Sequence, residues 1–155
     1  MLIRDYRPAD AAPLTRLFHD TIHSTGLREY SQAQVAAWSP SPPDAERWHA
    51  RMSTRHTFVA EKDGGILGFA ELEENGHFDM LYVAKEAIGT GVGGALCDAV
   101  ETRARALGIA RLFTEASKIA RPVFERKGYS LIAVQSVTLN GVTLTNYRME
   151  KPIAL

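Results

Sequence analysis

The segment Met80-Leu-Tyr-Val-Ala-Lys-Glu-Ala-Ile-Gly-Thr-Gly-Val-Gly-Gly-Ala-Leu96 decides the fold of this chain. It opens with an apolar run that is typical of a buried strand. From Gly93 to about Leu107, apolar residues recur at helical spacing and predict a helix. Glycine permits positive φ and leaves no Cβ in the path of a ligand, and a helix N-terminus offers unpaired N–H groups with a partial positive charge. The segment therefore predicts a cradle for a phosphate or pyrophosphate, built from Gly89, Thr90, Gly91, Val92, Gly93 and Gly94.

A dinucleotide-binding fold is one interpretation of the same glycines. Residues 89–94 match the pattern G-x-G-x-x-G, and Glu115 follows at roughly the spacing of 20 residues that such a fold uses for its ribose contact. However, residues 84–88 separate the strand from the first glycine, whereas that fold places its glycine almost at the end of the strand. A chain of 155 residues with one such unit also leaves no room for a doubly wound sheet, which disfavours this interpretation.

The composition is that of an ordinary globular protein without a charge bias. We expect one domain over residues 1–155 with a single sizeable core. The 18 basic residues balance the 18 acidic ones, which argues against nucleic-acid or membrane-surface binding through bulk charge. Cys97 is the sole cysteine, so that an internal disulfide is excluded and a reducing compartment is compatible. No apolar run approaches the ~18 residues of a membrane span and no signal peptide precedes the first strand, so we expect a cytoplasmic bacterial protein.

The spacing of apolar residues changes along the chain from the period of helices to the period of strands. The pattern predicts an early strand followed by helices at 11–24, near 31–38 and at 44–52, and then strands at 57–61, 66–73 and 77–83. After the glycine segment and its helix, it predicts a strand at 110–116, a helix at 118–127 and a final hairpin at 129–139 and 142–150.

Two motifs and this element order resemble the GNAT superfamily of acetyl-CoA-dependent N-acetyltransferases. The family's pyrophosphate pattern, Q/R-x-x-G-x-G/A after a strand ending in L-x-V, is matched in register by Leu81, Tyr82, Val83, Gly91, Gly93 and Leu96. Its second pattern, N-x-x-A-x-x-x-Y-x-x-x-G-F, resembles the series Ser117, Ala120, Phe124, Gly128 and Tyr129. The tail Thr145-Asn-Tyr-Arg-Met149 is similar to the YafP-like branch of bacterial acetyltransferases. The departures from the patterns are Ile88 for Gln/Arg, Lys85 for Pro and Phe124 for Tyr.

The resemblance implies an α/β GNAT fold, whose central mixed, mostly antiparallel sheet is splayed at the acetyl-CoA site and carries helices on both faces. It implies acetyl-CoA as co-substrate, direct transfer to an amine of an unidentified small-molecule or peptide acceptor, and a monomer or homodimer. A non-catalytic acyl-CoA-binding module of the same fold is the alternative, because Ile88 and Phe124 replace two functional side chains. The implied cofactor contacts are Leu81, Tyr82, Val83, Ile88, residues 89–94, Ser117, Ala120 and Phe124.

Candidates for the general base lie on the central strand and its neighbour. Alternation along a strand places His77, Asp79, Leu81 and Val83 on one face, and Glu71 or Glu73 lies across from them. Asp79 is our first choice because it is nearest the implied thioester and is flanked by Phe78 and Met80, with His77 and Glu71 as alternatives.

The general acid is less clearly indicated, because phenylalanine at position 124 cannot donate a proton. Tyr129 is the candidate replacement, with Tyr82, Tyr147 and solvent as the alternatives.

The early helices supply the remaining candidates. The family places its acceptor pocket between these helices and the central strands, which points to Arg28, Tyr30 and Trp38. His19 and His23 share a helix face at a spacing that could bind zinc, but Asp stands where a metalloprotease needs Glu and no third ligand is evident. We therefore expect no metal.

Overall fold

The computed structural model describes residues 1–154, in seven strands and five α-helices. The N-terminal half contains β1 (Leu2–Asp5), α1 (Ala11–Ser24), α2 (Gln32–Trp38), α3 (Ala45–Met52), β2 (His56–Lys62) and β3 (Gly65–Leu72). The remainder contains β4 (Phe78–Val83), α4 (Val92–Ala106), β5 (Arg111–Ala116), α5 (Arg121–Arg126), β6 (Ser130–Leu139) and β7 (Val142–Pro152). No helix within residues 1–154 is both long enough and apolar enough to cross a membrane.

Two antiparallel sheets meet at one point and then separate. The first has the order β1-β2-β3-β4, and the second has the order β5-β7-β6. Within the described chain, β4 and β5 are joined at a single parallel bridge, His77 with Phe113. The Phe113 N–H donates to the Gly76 carbonyl oxygen at 3.1 Å, and the Thr114 hydroxyl donates to the Phe78 carbonyl oxygen at 2.7 Å. Beyond this junction the strands diverge, so that the expected splay of the central sheet is confirmed.

Gly76 makes the close approach at the junction possible. Its φ is +97°, and a Cβ there would lie 2.3 Å from the carbonyl oxygen of Arg111. Glycine is the residue that can adopt this conformation and also leave space for the neighbouring backbone. The turn at Gly76 therefore determines where the splay begins.

Helices cover both faces of the sheet, as the resemblance implied. On one face, α4 buries Leu96 and Val100 against a core cluster that includes Phe78 of β4 and Leu112 of β5. On the other face, α1 and α3 pack a second cluster, which consists of Leu14, Trp48, Met52, Val59 and Phe69.

Local signals set most of the helix boundaries. The Ser31 hydroxyl accepts the Gln34 N–H at 3.1 Å and caps α2, and the Asp44 carboxylate accepts the Arg47 N–H at 3.2 Å and caps α3. The last helix begins at Arg121 rather than at the predicted residue 118, because the Ser117 hydroxyl accepts the Ala120 N–H at 3.1 Å and stabilises a turn ahead of it.

Candidate active site

A β-bulge at Asp79 redirects the side chains of β4. Glu71 pairs with Met80 and Leu72 pairs with Phe78, so that Asp79 has no partner on β3. The expectation that Asp79 shares a face with Leu81 and Val83 is therefore wrong. Asp79 contacts Arg51 of α3, whereas Leu81 and Val83 pack with the α4 cluster.

The splayed edge of β4 offers free backbone groups. The Ala84 N–H donates to the Leu67 carbonyl oxygen at 2.7 Å, and ladder bonds of antiparallel strands alternate, so Leu81 and Val83 turn their peptide groups away from β3. The Thr21 hydroxyl, on α1, donates to the Val83 carbonyl oxygen at 3.3 Å, which agrees with this orientation. The outward N–H and C=O groups of Leu81 and the outward N–H group of Val83 can bind the amides of an extended ligand.

A groove of about 550 Å³, here called the outer cavity, lies between β4, the glycine loop and α5. Its walls are mostly apolar, and among the described residues that line it Arg126 is the charged one. The expected cofactor contacts that line it are Leu81, Tyr82, Val83, Ile88, Gly89, Gly91, Gly93, Ser117 and Ala120.

The four loop glycines have two different functions. Gly89 and Gly91 have φ of +78° and +91°, and a Cβ at either would meet nothing within 4 Å, so the backbone is open to a ligand. A Cβ at Gly93, in contrast, would lie 3.3 Å from Val123 of α5, and one at Gly94 would lie 3.0 Å from Lys127. Gly93 therefore allows α4 to approach α5 closely, whereas the contact at position 94 is with the flexible end of the Lys127 side chain.

The α4 N-terminus completes the cradle. The helix begins at Val92, and the Ala95 N–H donates to the Gly91 carbonyl oxygen at 3.0 Å as the first helical bond. The N–H groups of Val92, Gly93 and Gly94 therefore lack helical partners, as at every helix start. The Thr90 N–H is different, since it donates to the Ala87 carbonyl oxygen at 3.3 Å. The available donors are thus concentrated in the first turn of the helix.

A smaller cavity of about 150 Å³, here called the inner cavity, lies in the splay between β4, β5 and β7. It adjoins the outer cavity, because both are lined by Trp38, Leu81, Tyr82, Ser117 and Ala120. Tyr30 and Phe124, two of the expected site residues, also line it. The Tyr30 hydroxyl donates to the Thr145 carbonyl oxygen at 2.7 Å and accepts the Lys118 N–H at 2.9 Å, which ties the early helices to β7.

A network of charges lies behind the inner cavity. Glu71 is fully buried, and its Oε1 accepts from Arg51 Nη2 at 2.9 Å and from Arg55 Nη1 at 2.8 Å. Arg55 also donates to Asp79 at 3.1 Å and to Glu73 at 3.0 Å. Of the two predicted carboxylates, Asp79 lines the inner cavity, whereas Glu71 lies behind it in this network.

His77 stands between two carboxylates. Its Nδ1 is 2.9 Å from Glu73, its Nε2 is 2.8 Å from Glu115, and its ring stacks on Phe113. Burial lowers the pKa of His77, but the hydrogen bond to Glu73 and the charges of Glu115 and Asp79 outweigh it, so that the net pKa is raised. When the ring is doubly protonated, which the raised pKa favours, it donates both bonds and has no lone pair with which to accept a proton.

Two expected site residues lie elsewhere. Arg28 is exposed in the short helical turn after α1, and Tyr129 is buried against Phe124 in the core. Neither lines the cavities in the described part of the chain. Burial raises the pKa of Tyr129, which disfavours loss of its proton.

The two histidines of α1 bind the segment that follows α2. His19 Nδ1 is 2.7 Å from the Ser39 hydroxyl, and His23 Nε2 is 2.6 Å from the Ser39 carbonyl oxygen. A separate set, Glu73, His77 and Asp79, offers ligand atoms within 4.8 Å of one another. Arg55 already donates to both of these carboxylates, so the guanidinium supplies there the positive charge that a metal would bring.

Three residues of the site were not predicted as such from the sequence. Glu115 of β5 lines the inner cavity beside Asp79, whereas the sequence suggests it only as the ribose contact of a dinucleotide fold. Asn146 of β7 also lines it, and Arg126 of α5 lines the outer cavity. Alternation along β5 could have indicated Glu115, but no local pattern identifies the other two.

Comparisons with known proteins agree with this geometry. The model of the acetyltransferase (GNAT) domain family matches residues 26–151. The uncharacterized N-acetyltransferase YafP of Escherichia coli is 31% identical over 147 residues, which cover 95% of this chain and 93% of YafP. The dinucleotide interpretation is therefore wrong.

Solved structures show the same fold. The crystal structure of a GCN5-related N-acetyltransferase from Rhodopseudomonas palustris has a TM-score of 0.92 and 36% identity, covering 98% of this chain and 95% of that one. The structure of YncA from Salmonella typhimurium with acetyl-CoA has a TM-score of 0.80 at 17% identity, covering 100% and 95% of the two chains. The chain therefore belongs to the GNAT family of N-acetyltransferases.

Proposed function

We propose that the protein binds acetyl-CoA in the outer cavity and transfers the acetyl group directly to an amine in the inner cavity. The observation that carries the proposal is that the two cavities adjoin each other at the splayed edge of β4. An acyl thioester entering from one side and an amine entering from the other would meet beside Leu81. Binding both reactants in this orientation makes the reaction between the thioester and the amine effectively unimolecular.

The residues present fit acetyl-CoA. The open backbone at Gly89 and Gly91 and the first-turn N–H groups of α4 suit a pyrophosphate, and Arg126 adds a positive charge nearby. The outward peptide groups of Leu81 and Val83 suit the pantetheine amides, and a backbone N–H at this edge can stabilise the oxyanion of the tetrahedral intermediate. Ile88 supplies apolar contact where the family commonly has a polar side chain.

Asp79 is the proposed base. Its Oδ2 contacts Arg51 and Arg55, while its Oδ1 lies 3.7 Å from His77 Nε2, and the residue lines the inner cavity. In this scheme Asp79, directly or through a water, takes the proton of the attacking amine. The carbon–sulfur bond then breaks and solvent protonates the thiolate, because Phe124 has no hydroxyl to donate.

Glu115 is the second candidate for the base. Its side chain is 35% exposed and its bonded partner in the described chain is His77 rather than an arginine. A non-catalytic acyl-CoA-binding module is the alternative function. The observation that favours it is that both candidate bases are held in ion pairs and the acid position is a buried phenylalanine.

Turnover of acetyl-CoA with a panel of amines, followed by thiol release, tests the proposal. Asp79→Asn should lower the rate on the order of 10²-fold and move the ascending limb of the pH–rate profile, with CoA affinity unchanged. Glu125→Gln on the outer surface of α5 is the control, and should behave as wild type. A wild-type rate for Asp79→Asn together with a slow Glu115→Gln would assign the base to Glu115. CoA binding without thiol release for any amine would establish the binding module.

A further inference from the structure

The charged residues that line the inner cavity in the described chain are all acidic. Within the described chain, the charged side chains that line it are Asp79 and Glu115. The cations that pair with them, Arg51, Arg55 and His77, contact them from behind and do not line the cavity. A ligand in the cavity therefore meets carboxylates first.

Among the described polar groups of the walls, one buried acceptor is unsatisfied and two hydroxyls are already used as donors. Asn146 Oδ1 is buried and has no hydrogen-bond partner within residues 1–154. The hydroxyls of Tyr30 and Thr114 already donate to the carbonyl oxygens of Thr145 and Phe78. An unsatisfied buried acceptor is costly, and an N–H group of a bound ligand would satisfy it.

The remaining walls are apolar and the space is small. Trp38, Phe124 and Leu144 contribute aromatic and aliphatic surface. The volume of about 150 Å³ is well below the roughly 300 Å³ at which pockets for drug-sized ligands begin. The buried part of the acceptor must therefore be compact.

We propose that the acceptor is a small primary amine with an apolar body and no carboxylate, rather than an amino acid. This inference rests on the acetyl transfer proposed above. The ammonium group would be attracted to Asp79 and Glu115 and would donate to Asn146. A carboxylate on the same molecule would face like charges without a cation inside the cavity, which disfavours its binding.

Matched pairs that differ by one carboxylate test this inference. We would compare 2-phenylethylamine with phenylalanine and isobutylamine with valine, measuring kcat/KM by thiol release and binding to the enzyme–CoA complex by calorimetry. The amine should be preferred by roughly 10- to 100-fold in each pair. Phenylalanine methyl ester, which keeps the bulk of the amino acid without its charge, should behave like the amine. This separates charge from size.

Glu115→Gln should reduce the preference for the amine at least several-fold, because one of the two lining charges is removed. Glu125→Gln, which removes a carboxylate outside the cavity, should leave the preference unchanged. Equal or better use of the amino acids, or no binding of either member to the CoA complex, would overturn the inference while leaving acetyl-CoA use intact. Failure to bind acetyl-CoA would instead remove the proposed function, and this inference with it.

Discussion

Gly68 does not line the outer cavity, but Gly68→Ala should displace a strand that does and so weaken the proposed cofactor site. Gly68 of β3 faces Val83 of β4, and a Cβ there would lie 2.7 Å from the Tyr82 carbonyl oxygen and 3.3 Å from Leu96 Cδ1. Ordinary contacts of a Cβ begin at 3.4 Å, so one strand must move by roughly 0.7 Å. Leu96 is fully buried on one side, which leaves an outward shift of β4 as the available relief.

The magnitude follows from this displacement. A misplacement of about 1 Å can cost 10²-fold in rate, so we expect kcat/KM to fall by about 10- to 100-fold, together with weaker CoA binding. Overpacking should lower the free energy of unfolding by about 1–3 kcal/mol. The φ of Gly68 is not in the left-handed region, so the effect is steric rather than a backbone strain.

Gly65→Ala on the same strand is the matched control. Its added Cβ would meet the Lys62 carbonyl oxygen at an ordinary 3.5 Å, so stability and activity should stay at wild-type levels. Urea unfolding, CoA calorimetry and thiol release would be measured for both variants. A Gly68→Ala protein with wild-type stability and CoA affinity would refute the argument that this close approach positions β4.

Three further predictions concern charged groups. Arg126→Ala should weaken CoA binding by about 10-fold, the scale of one charge-assisted hydrogen bond, whereas Arg47→Ala on α3 should not; equal calorimetric affinities would contradict this. Glu71→Gln should lower the free energy of unfolding by about 3 kcal/mol in urea, because it removes the fully buried negative charge that faces two arginines; a loss below 1 kcal/mol would argue against a stabilising network. The raised pKa of His77 stabilises the fold fully below about pH 6.5, and this contribution is lost as the pH rises through the raised value. The stability difference between wild type and His77→Gln should therefore shrink as the pH rises, and a difference that stayed constant from pH 5 to pH 9 would be inconsistent with it.

Local chemistry made much of the fold predictable. The caps at Ser31 and Asp44 act within three residues of themselves, so their effect is visible in any short window. The same holds for the glycine loop, where the strand before it and the helix after it are both encoded by periodicity. The motifs at residues 81–96 and 117–129 then identified the family.

Which residues come together at the site was harder to predict from local sequence patterns. Asp79, His77 and the peptide groups near Leu81 were expected at the splay, but Arg28 and Tyr129 lie away from the cavities. The difference arises because a position on the central strand is nearly sufficient to place a residue at the splay. A position on an early helix or after α5 is not, since the packing of that element decides where its side chains point.

The sequence by itself determined the elements, the glycine loop before α4 and the family, because these depend on neighbours within a few residues. The tertiary structure alone decided which carboxylates face the inner cavity. The bulge at Asp79 exists through pairing with β3, and the charge network joins residues as distant in the chain as Arg51 and Glu115 through His77. It also decided that Gly93 serves the packing of α4 on α5, since the Cβ of that position would meet Val123, a contact that no local pattern contains.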